Sequence, residues 1–386
     1  MSSDRDAPLI DCPPGRMNAF HVDLDALDHN VDEIRRMVGP KVLIFAALKA
    51  NAYGFGVVEI AHAVLKSGAD GLAVVDLRDT VLLRNAGIDA PIHLFGGILI
   101  TAEVARYISD FDLMPTILRI EDATAVSQAA TKSIRVFIKV EVGLERFGIA
   151  VEDVQAFAKI VRSMPNIELY GLSTHLHVPR RDASEVAPYL QRQFQRFEDA
   201  VRQVESDGEL VPVKMAASSG SLSMTGTMNL NAVDPGHLLF GLRPGGPEVE
   251  RLDIRPVMAS LKSELVHIHV VQRTEYMDLA PFPVRRGMRI GVLPIGVVDG
   301  MLSLHSGSVL VNECRCPVLD VSLEHTRIDL TGANALVGDE IVIIGRQGED
   351  TIDITDVLAH HKLRIPASVP LAVHHTVPRV YIRDSR

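Results

Sequence analysis

The sequence predicts an α/β protein in which an N-terminal (β/α)8, TIM-like barrel is followed by a mainly β C-terminal domain. Three observations predict it. From about Phe20 to Gly245, short apolar runs alternate with amphipathic stretches, the rhythm of parallel strands joined by helical crossovers. About eight strand candidates fall in that region, which suits a barrel of roughly 200 to 250 residues. After about Glu250 strong helical periods give way to short β-branched runs separated by Gly and Asp turn signals.

The elements follow in order. A first strand is placed near Phe20. Leu24, Leu27, Val31 and Ile34 recur at helical spacing, so Asp23 to Val38 reads as a helix. Residues 42–48 then form a continuous apolar run, and a run without polar alternation suits a strand covered on both faces. Similar runs occupy 71–75, 92–95, 113–118, 134–140, 167–174 and 211–217, with helical patterns such as 101–109, 151–163 and 189–205 between them. A doubly wound open sheet is the competing arrangement that periodicity leaves open. In the second domain the strand signals are 265–271, 290–295, 308–312, 328–330 and 340–344, with a helix over 354–360. The expected division is a polar tail over 1–17, a barrel over 18–249 and a β domain over 250–386.

Composition narrows the function classes. Thirty-nine Lys and Arg against 49 Asp and Glu give a net charge of −10, which argues against a broad basic surface for nucleic acid or anionic membrane. No segment has the ~18 apolar residues of a membrane span. Three cysteines, Cys12, Cys314 and Cys316, make no disulfide framework, and a reducing compartment follows. The expectation is a cytoplasmic protein. There is no Trp, and only six Tyr.

In a barrel, catalytic side chains sit at the C-terminal ends of strands. Lys49 stands there, at the end of the 42–48 run, followed by Ala50-Asn51-Ala52-Tyr53-Gly54-Phe55-Gly56. An amine flanked by apolar residues can have a lowered pKa and serve as a Schiff-base nucleophile; a lysine that merely snorkels from a strand end is the plainer reading.

The stretch Ala47 to Gly56 resembles the pyridoxal-phosphate lysine motif of bacterial alanine racemases, with Phe55 where histidine is usual. Val22-Asp23-Leu24-Asp25-Ala26-Leu27-Asp28-His29-Asn30 resembles the opening of the same family, and the likeness recurs in order to about residue 382. The resemblance implies pyridoxal 5'-phosphate as cofactor, a small amino acid as substrate, racemisation by proton removal and return at Cα, and a head-to-tail homodimer. It also implies site residues. Tyr53 fills a cofactor seat. Arg146, in Lys139-Val140-Glu141-Val142-Gly143-Leu144-Glu145-Arg146-Phe147-Gly148, matches the arginine that binds the cofactor's phenolic oxygen and the substrate carboxylate, a task for a bidentate guanidinium. Lys139 matches a lysine that is carbamylated in some members. His175, in Gly171-Leu172-Ser173-Thr174-His175, matches the histidine beside the pyridine ring. Ser218 and Ser219 take an asparagine–serine pair at the phosphate. Leu242-Arg243-Pro244-Gly245 resembles the segment whose arginine faces the pyridine nitrogen, so Arg243 is expected there, with Gly245 and Gly246 close to the phosphate. An arginine would leave that nitrogen unprotonated, because a guanidinium does not give up its proton in proteins.

The family pattern breaks on the substrate side. The second acid/base is a tyrosine a fixed distance before a Gly-Tyr-Ala-Asp-Gly motif, which appears here as Gly296-Val297-Val298-Asp299-Gly300. Counting back reaches Asp278; the nearest tyrosine is Tyr276, two residues away and on the same side of an extended strand. Asp278 is ill suited as a proton donor unless buried, and could instead meet a cationic group of a basic amino acid. Val297 takes another tyrosine seat, Leu323 that of a methionine whose amide meets the substrate carboxylate, and His375 that of a phosphate-binding tyrosine. The expectation is a racemase whose substrate differs from alanine. A decarboxylase or aldol-type lyase on the same fold, a non-catalytic pyridoxal-phosphate-binding protein and a metal-dependent barrel hydrolase using His175 and His177 are the alternatives. No metal is expected; Cys314-Arg315-Cys316, His360-His361 and His374-His375 read as weak metal signals.

Overall fold

A computed structural model describes residues 15, 17–179, 181–224, 228–243, 252–273 and 280–383. Cys12, Gly245, Gly246, Tyr276 and Asp278 lie outside them. The chain forms two compact units. One takes residues up to His21, Met258–Arg364 and Ala372–Val380; the other takes Val22–Val257, Ile365–Leu371 and the chain from Tyr381 on.

The second unit is an eight-stranded parallel barrel with helices between its strands. Its strands are β1 (Leu43–Ala47), β2 (Gly71–Val74), β3 (Ile92–Leu94), β4 (Leu113–Ile117), β5 (Ile134–Glu141), β6 (Ile167–Ser173), β7 (Val213–Ala217) and β8 (Ala232–Val233). Neighbours pair in that order; β8 pairs with β1 to close the ring. The count of eight agrees with the sequence reading, but the membership does not. The strand at Ala19–Asp23 belongs to the other sheet, and the eighth barrel strand is Ala232–Val233. Two apolar residues before Asp-Pro-Gly read as a turn, which is why periodicity passes over β8.

Inside the barrel, Phe45, Ala73, Met114, Phe137, Val213, Met215 and Ala232 form one buried cluster. Gly171 on β6 is required by it, since a Cβ there would overlap the Phe137 ring. The barrel is therefore packed at this level and open only above it. Outside, the helix Leu24–Val38 shows how sequence fixes an element. The Asp23 carboxylate accepts the Ala26 N–H at 2.8 Å, Arg35 and Arg36 sit in the last turn, and Leu27, Val31 and Ile34 are buried.

The other unit is a mainly antiparallel sheet in the order His267–Val270, Arg289–Leu293, Thr326–Asp329, Cys314–Val321, Ser308–Val311, Glu340–Gln347, Met258–Glu264, Ala19–Asp23 and Arg379–Ile382. Asp350–Ile352 pairs with Glu340–Gln347 to the side. Leu310, Val342 and Ile352 fill one core; Val271, Phe282, Met288 and Ile290 fill another. The strands Met258–Glu264, Cys314–Val321 and Arg379–Ile382 carry mixed polarity and no clean alternation, and the sequence reading omits them. Among the described residues no helix is long and apolar enough to cross a membrane.

Candidate active site

The barrel unit holds a cavity of about 690 Å³ whose walls include Lys49, Tyr53, Lys139, Arg146, His175, Ser218, Ser219 and Asp234. That volume suits a small-molecule site. Lys49 follows β1 by two residues and opens an unusual turn. Ala50, Asn51, Ala52 and Tyr53 all have φ between 52° and 56°, a left-handed helical turn that costs roughly 1–2 kcal/mol per residue. Local bonds hold it: Ala52 N–H donates to the Leu48 carbonyl at 2.9 Å and Gly54 N–H to that of Ala50 at 3.0 Å. The Asn51 side chain accepts the Val57 N–H at 2.8 Å. The turn carries Tyr53 inward, where its ring lies 5.2 Å from His237 and 5.3 Å from Phe240.

β8 delivers the opposite charge. Asp234 follows it directly, and its N–H donates to the Ala217 carbonyl at 3.0 Å. The residue is buried, and its Oδ1 has no hydrogen-bond partner among the described residues. Burial pushes this carboxyl up to about 7, and Lys139 and Lys49 oppose only part of the rise. The same field acts in reverse on the amines. Burial lowers Lys49, helped by Arg146 and opposed by Asp234. Burial also lowers Lys139, with Arg146 and Lys49 adding to the effect. Lys49, Lys139, Arg146 and the Asp234 carboxyl thus line one cavity, with Lys139 and Asp234 buried in its wall.

Arg146 comes from the loop after β5. Glu141 shapes that loop by accepting the N–H groups of Gly143 and Leu144, each at 2.6 Å, and of Arg146 at 3.3 Å. The Arg146 guanidinium stands over the Phe147 ring at 4.9 Å. His175 follows β6, and burial, reinforced by Lys139, Lys49 and Arg146, lowers it to about 3, so it stays neutral. Below, buried His93 stacks on Phe137 with centroids 4.0 Å apart and is also lowered to about 3, by burial first and Lys139 second.

The remaining wall is built from hydroxyls and glycine. Ser219 Oγ accepts the N–H groups of Gly236 at 2.9 Å and Leu238 at 3.1 Å. A Cβ at Gly236 would run into the Tyr53 hydroxyl, so only glycine lets that hydroxyl lie against the backbone.

Lys49, Tyr53, Lys139, Arg146, His175, Ser218 and Ser219 are thus brought together. Arg243 is not: it is absent from the cavity wall, and its guanidinium donates to the carbonyls of Leu252 at 3.3 Å and Ile254 at 3.1 Å. The residue-Pro-Gly segment that does line the cavity is Asp234-Pro235-Gly236. The sequence reading took Arg243-Pro244-Gly245 because it carries an arginine. Asp234, Gly236 and His237 are among the wall residues that the sequence reading lacks, and the Pro-Gly pair after an apolar dipeptide is the available signal. His375 and Leu323 lie exposed in the β unit, with the His375 ring 4.0 Å from His374. His177 shares the cavity wall with His175. The described cluster whose ligand atoms approach closely enough for an ion is instead His305, His360 and His361, in the β unit.

The family model of the alanine racemase N-terminal domain matches residues 22–244, and that of the C-terminal domain matches residues 258–381. The chain is 34% identical over 372 residues to an alanine racemase of Methanococcus maripaludis, covering 94% of this chain and 97% of that one. It is 33% identical over 386 residues to the alanine racemase of Geobacillus stearothermophilus, covering 96% of each. The crystal structure of alanine racemase from Bacillus anthracis with bound L-Ala-P superposes with a TM-score of 0.85 at 27% identity, covering 97% of both chains.

Proposed function

The chain belongs to the alanine racemase family and is a pyridoxal 5'-phosphate-dependent racemase; from that premise we propose that the cavity is its cofactor and substrate site, with Lys49 as the cofactor-bearing base. The donor set fits the group. Lys49 offers an amine, Ser218, Ser219 and Tyr53 offer hydroxyls to a phosphate, and Arg146 offers a cation to a phenolic oxygen. The buried, unpartnered Oδ1 of Asp234 offers an acceptor. When bound, pyridoxal 5'-phosphate draws electron density from the substrate's Cα and makes its proton removable.

The chain's own residues then divide the work. Desolvation gives the Lys49 amine a larger neutral fraction at physiological pH, so its Nζ takes and returns a proton on one face of Cα. Arg146 holds the substrate carboxylate. His175, uncharged, packs beside the ring without competing for that carboxylate. Lys139 is read as an ammonium balanced by Asp234 rather than as a carbamate, which would place a second anion beside that carboxylate. Inversion needs a second acid/base on the opposite face, and positions 276 and 278 are proposed to supply it, or a substrate-binding carboxylate, from the second copy of a head-to-tail homodimer. Members of the family are typically homodimers acting on a small amino acid. The exchanges at 278, 297 and 323 support a substrate other than alanine.

The single observation that carries this reading is Lys49, its amine shifted toward the neutral form by desolvation, in one cavity with Arg146. The relatives are racemases, which favours racemisation over decarboxylation, aldol-type cleavage, a non-catalytic carrier or metal-dependent hydrolysis. Chiral analysis of a panel of L- and D-amino acids, with Cα-deuterium exchange, tests it. Exchange with inversion is expected for at least one amino acid. A protein that carries zinc, shows no visible cofactor band and exchanges no Cα proton would refute it. Mixing a Lys49→Ala protein with a variant altered at both 276 and 278 should restore activity if the dimer is head-to-tail; no restoration would refute that arrangement.

A further inference from the structure

We propose that Asp234 faces the ring nitrogen of the bound cofactor and keeps that nitrogen protonated. The inference rests on the cofactor reading above. It begins with an electrostatic matching of the cavity wall. Pyridoxal 5'-phosphate has an electrophilic carbonyl carbon, an anionic phosphate, an anionic phenolic oxygen and a ring nitrogen. An amine suits the carbonyl, hydroxyls suit the phosphate and a guanidinium suits the phenolate; Lys49, the Ser218, Ser219 and Tyr53 hydroxyls, and Arg146 are those groups. As a carboxylate, Asp234 would be repelled by the phosphate and by the phenolate. The ring nitrogen is the remaining polar feature, and the one that can present a positive N–H.

Asp234 is built for such a donor. It is buried at the end of β8, and Oδ1 lacks any hydrogen-bond partner among the described residues. A buried acceptor left unsatisfied is destabilising, and the cost disappears when a ligand brings the missing N–H. An unprotonated pyridine nitrogen cannot bring it, because its lone pair would face the carboxylate. The contact is attractive only with a proton between the two, and beside a buried carboxylate the positive form of the ring is favoured. Asp and Arg are the two residue types that partner this nitrogen in such enzymes, and they have opposite consequences. An arginine donates to the lone pair. Asp234 keeps the proton on the ring nitrogen, so the ring pulls more strongly on Cα than the Arg243 assignment implied.

The experiment uses holoenzyme loaded with cofactor carrying ¹⁵N in the ring. Borohydride bleaching of the visible band, with the modification mapped to Lys49, first establishes loading. The wild-type ¹⁵N resonance is expected in the protonated range at neutral pH, and Asp234→Asn should move it to the unprotonated range. A second measurement needs no variant: apoenzyme affinity for pyridoxal 5'-phosphate against an analogue with C–H in place of the ring nitrogen. A charge-assisted bond of about 1.5–3 kcal/mol corresponds to a roughly 10- to 100-fold preference for the cofactor, and Asp234→Asn should abolish most of it. An unprotonated wild-type ring, or equal affinity for the two compounds, overturns the proposal while leaving the cofactor reading intact. Failure to form the bleachable band overturns both.

Discussion

Two strands of one barrel reach the same cavity and announce themselves very differently. β1 (Leu43–Ala47) is a long apolar run that ends in Lys49 and a left-handed turn, followed by Gly54 and Gly56. β8 (Ala232–Val233) has two residues and ends in Asp234. They are paired neighbours in the sheet. The first is read easily because the apolar run and the lysine at its end both leave marks in sequence. The second is nearly silent, yet it carries the only carboxylate that the described residues place in the wall around Lys49, apart from the rim residue Asp182. Chemical weight in a site and visibility in a sequence are separate quantities.

The sharpest way to break the comparison is to remove its louder member. Lys49→Ala should abolish the borohydride-sensitive band and lower Cα exchange by at least about 10²- to 10⁴-fold, the range for a positioned acid/base. Retention of both would remove Lys49 from the site. The β8 side gives the next largest effect. Gly236→Ala forces a methyl group against the Tyr53 hydroxyl, and a displacement costing about 1–3 kcal/mol should weaken cofactor binding by about 10- to 100-fold. Equilibrium titration of the apoenzyme reads that change; unaltered affinity would mean that Tyr53 and Gly236 do not meet the ligand.

Smaller effects test the field beneath both strands. Buried His93 is neutral in the folded protein with a pKa near 3, against about 6.5 when unfolded. Between those values the unfolded chain binds more protons, so stability is complete above about pH 6.5 and falls as pH drops. His93 should account for about 1.4 kcal/mol of stability lost by about pH 5.5. Urea unfolding of His93→Phe should show a correspondingly flatter pH profile than the parent; an identical profile would show that His93 is not held neutral. Asn51→Ala tests the turn after Lys49. It removes the acceptor of the Val57 N–H and a residue tolerant of left-handed backbone, and should cost about 1 kcal/mol. A variant as stable as the parent would show that the turn is held by its backbone bonds alone. Finally, ¹³C-bicarbonate labelling should give no carbamate resonance dependent on Lys139; such a resonance would defeat the pairing of Lys139 with Asp234.

Much of the fold is legible because burial on both faces writes continuous apolar runs, as at Leu43–Ala47 and Ile134–Glu141. The misreadings share a cause. Phe20 and Val22 are as buried as any barrel residue, so their pattern says that the strand is covered but not by which sheet. β8 is too short to have a period. Of the candidate site, Lys49 is legible because it closes such a run, whereas Arg146 and His175 are legible only through the resemblance to the family. The site is illegible at Asp234, whose role depends on which strand closes the ring, a long-range fact with no local signature. Arg243 shows the reverse error: the right residue type, held in place by the Leu252 and Ile254 carbonyls.

The strand Ala19–Asp23 has a further consequence for how the chain is made. It lies between Met258–Glu264 and Arg379–Ile382 in its sheet, and the barrel sequence is translated between it and either neighbour. At about 5–20 residues per second, the strand waits on the order of tens of seconds for its first partner. Phe20 and Val22, fully covered in the finished molecule, stay unpaired through that interval while the barrel condenses behind them. Pairing of this strand therefore depends on contacts of high sequence separation, which close only after the barrel sequence has been made.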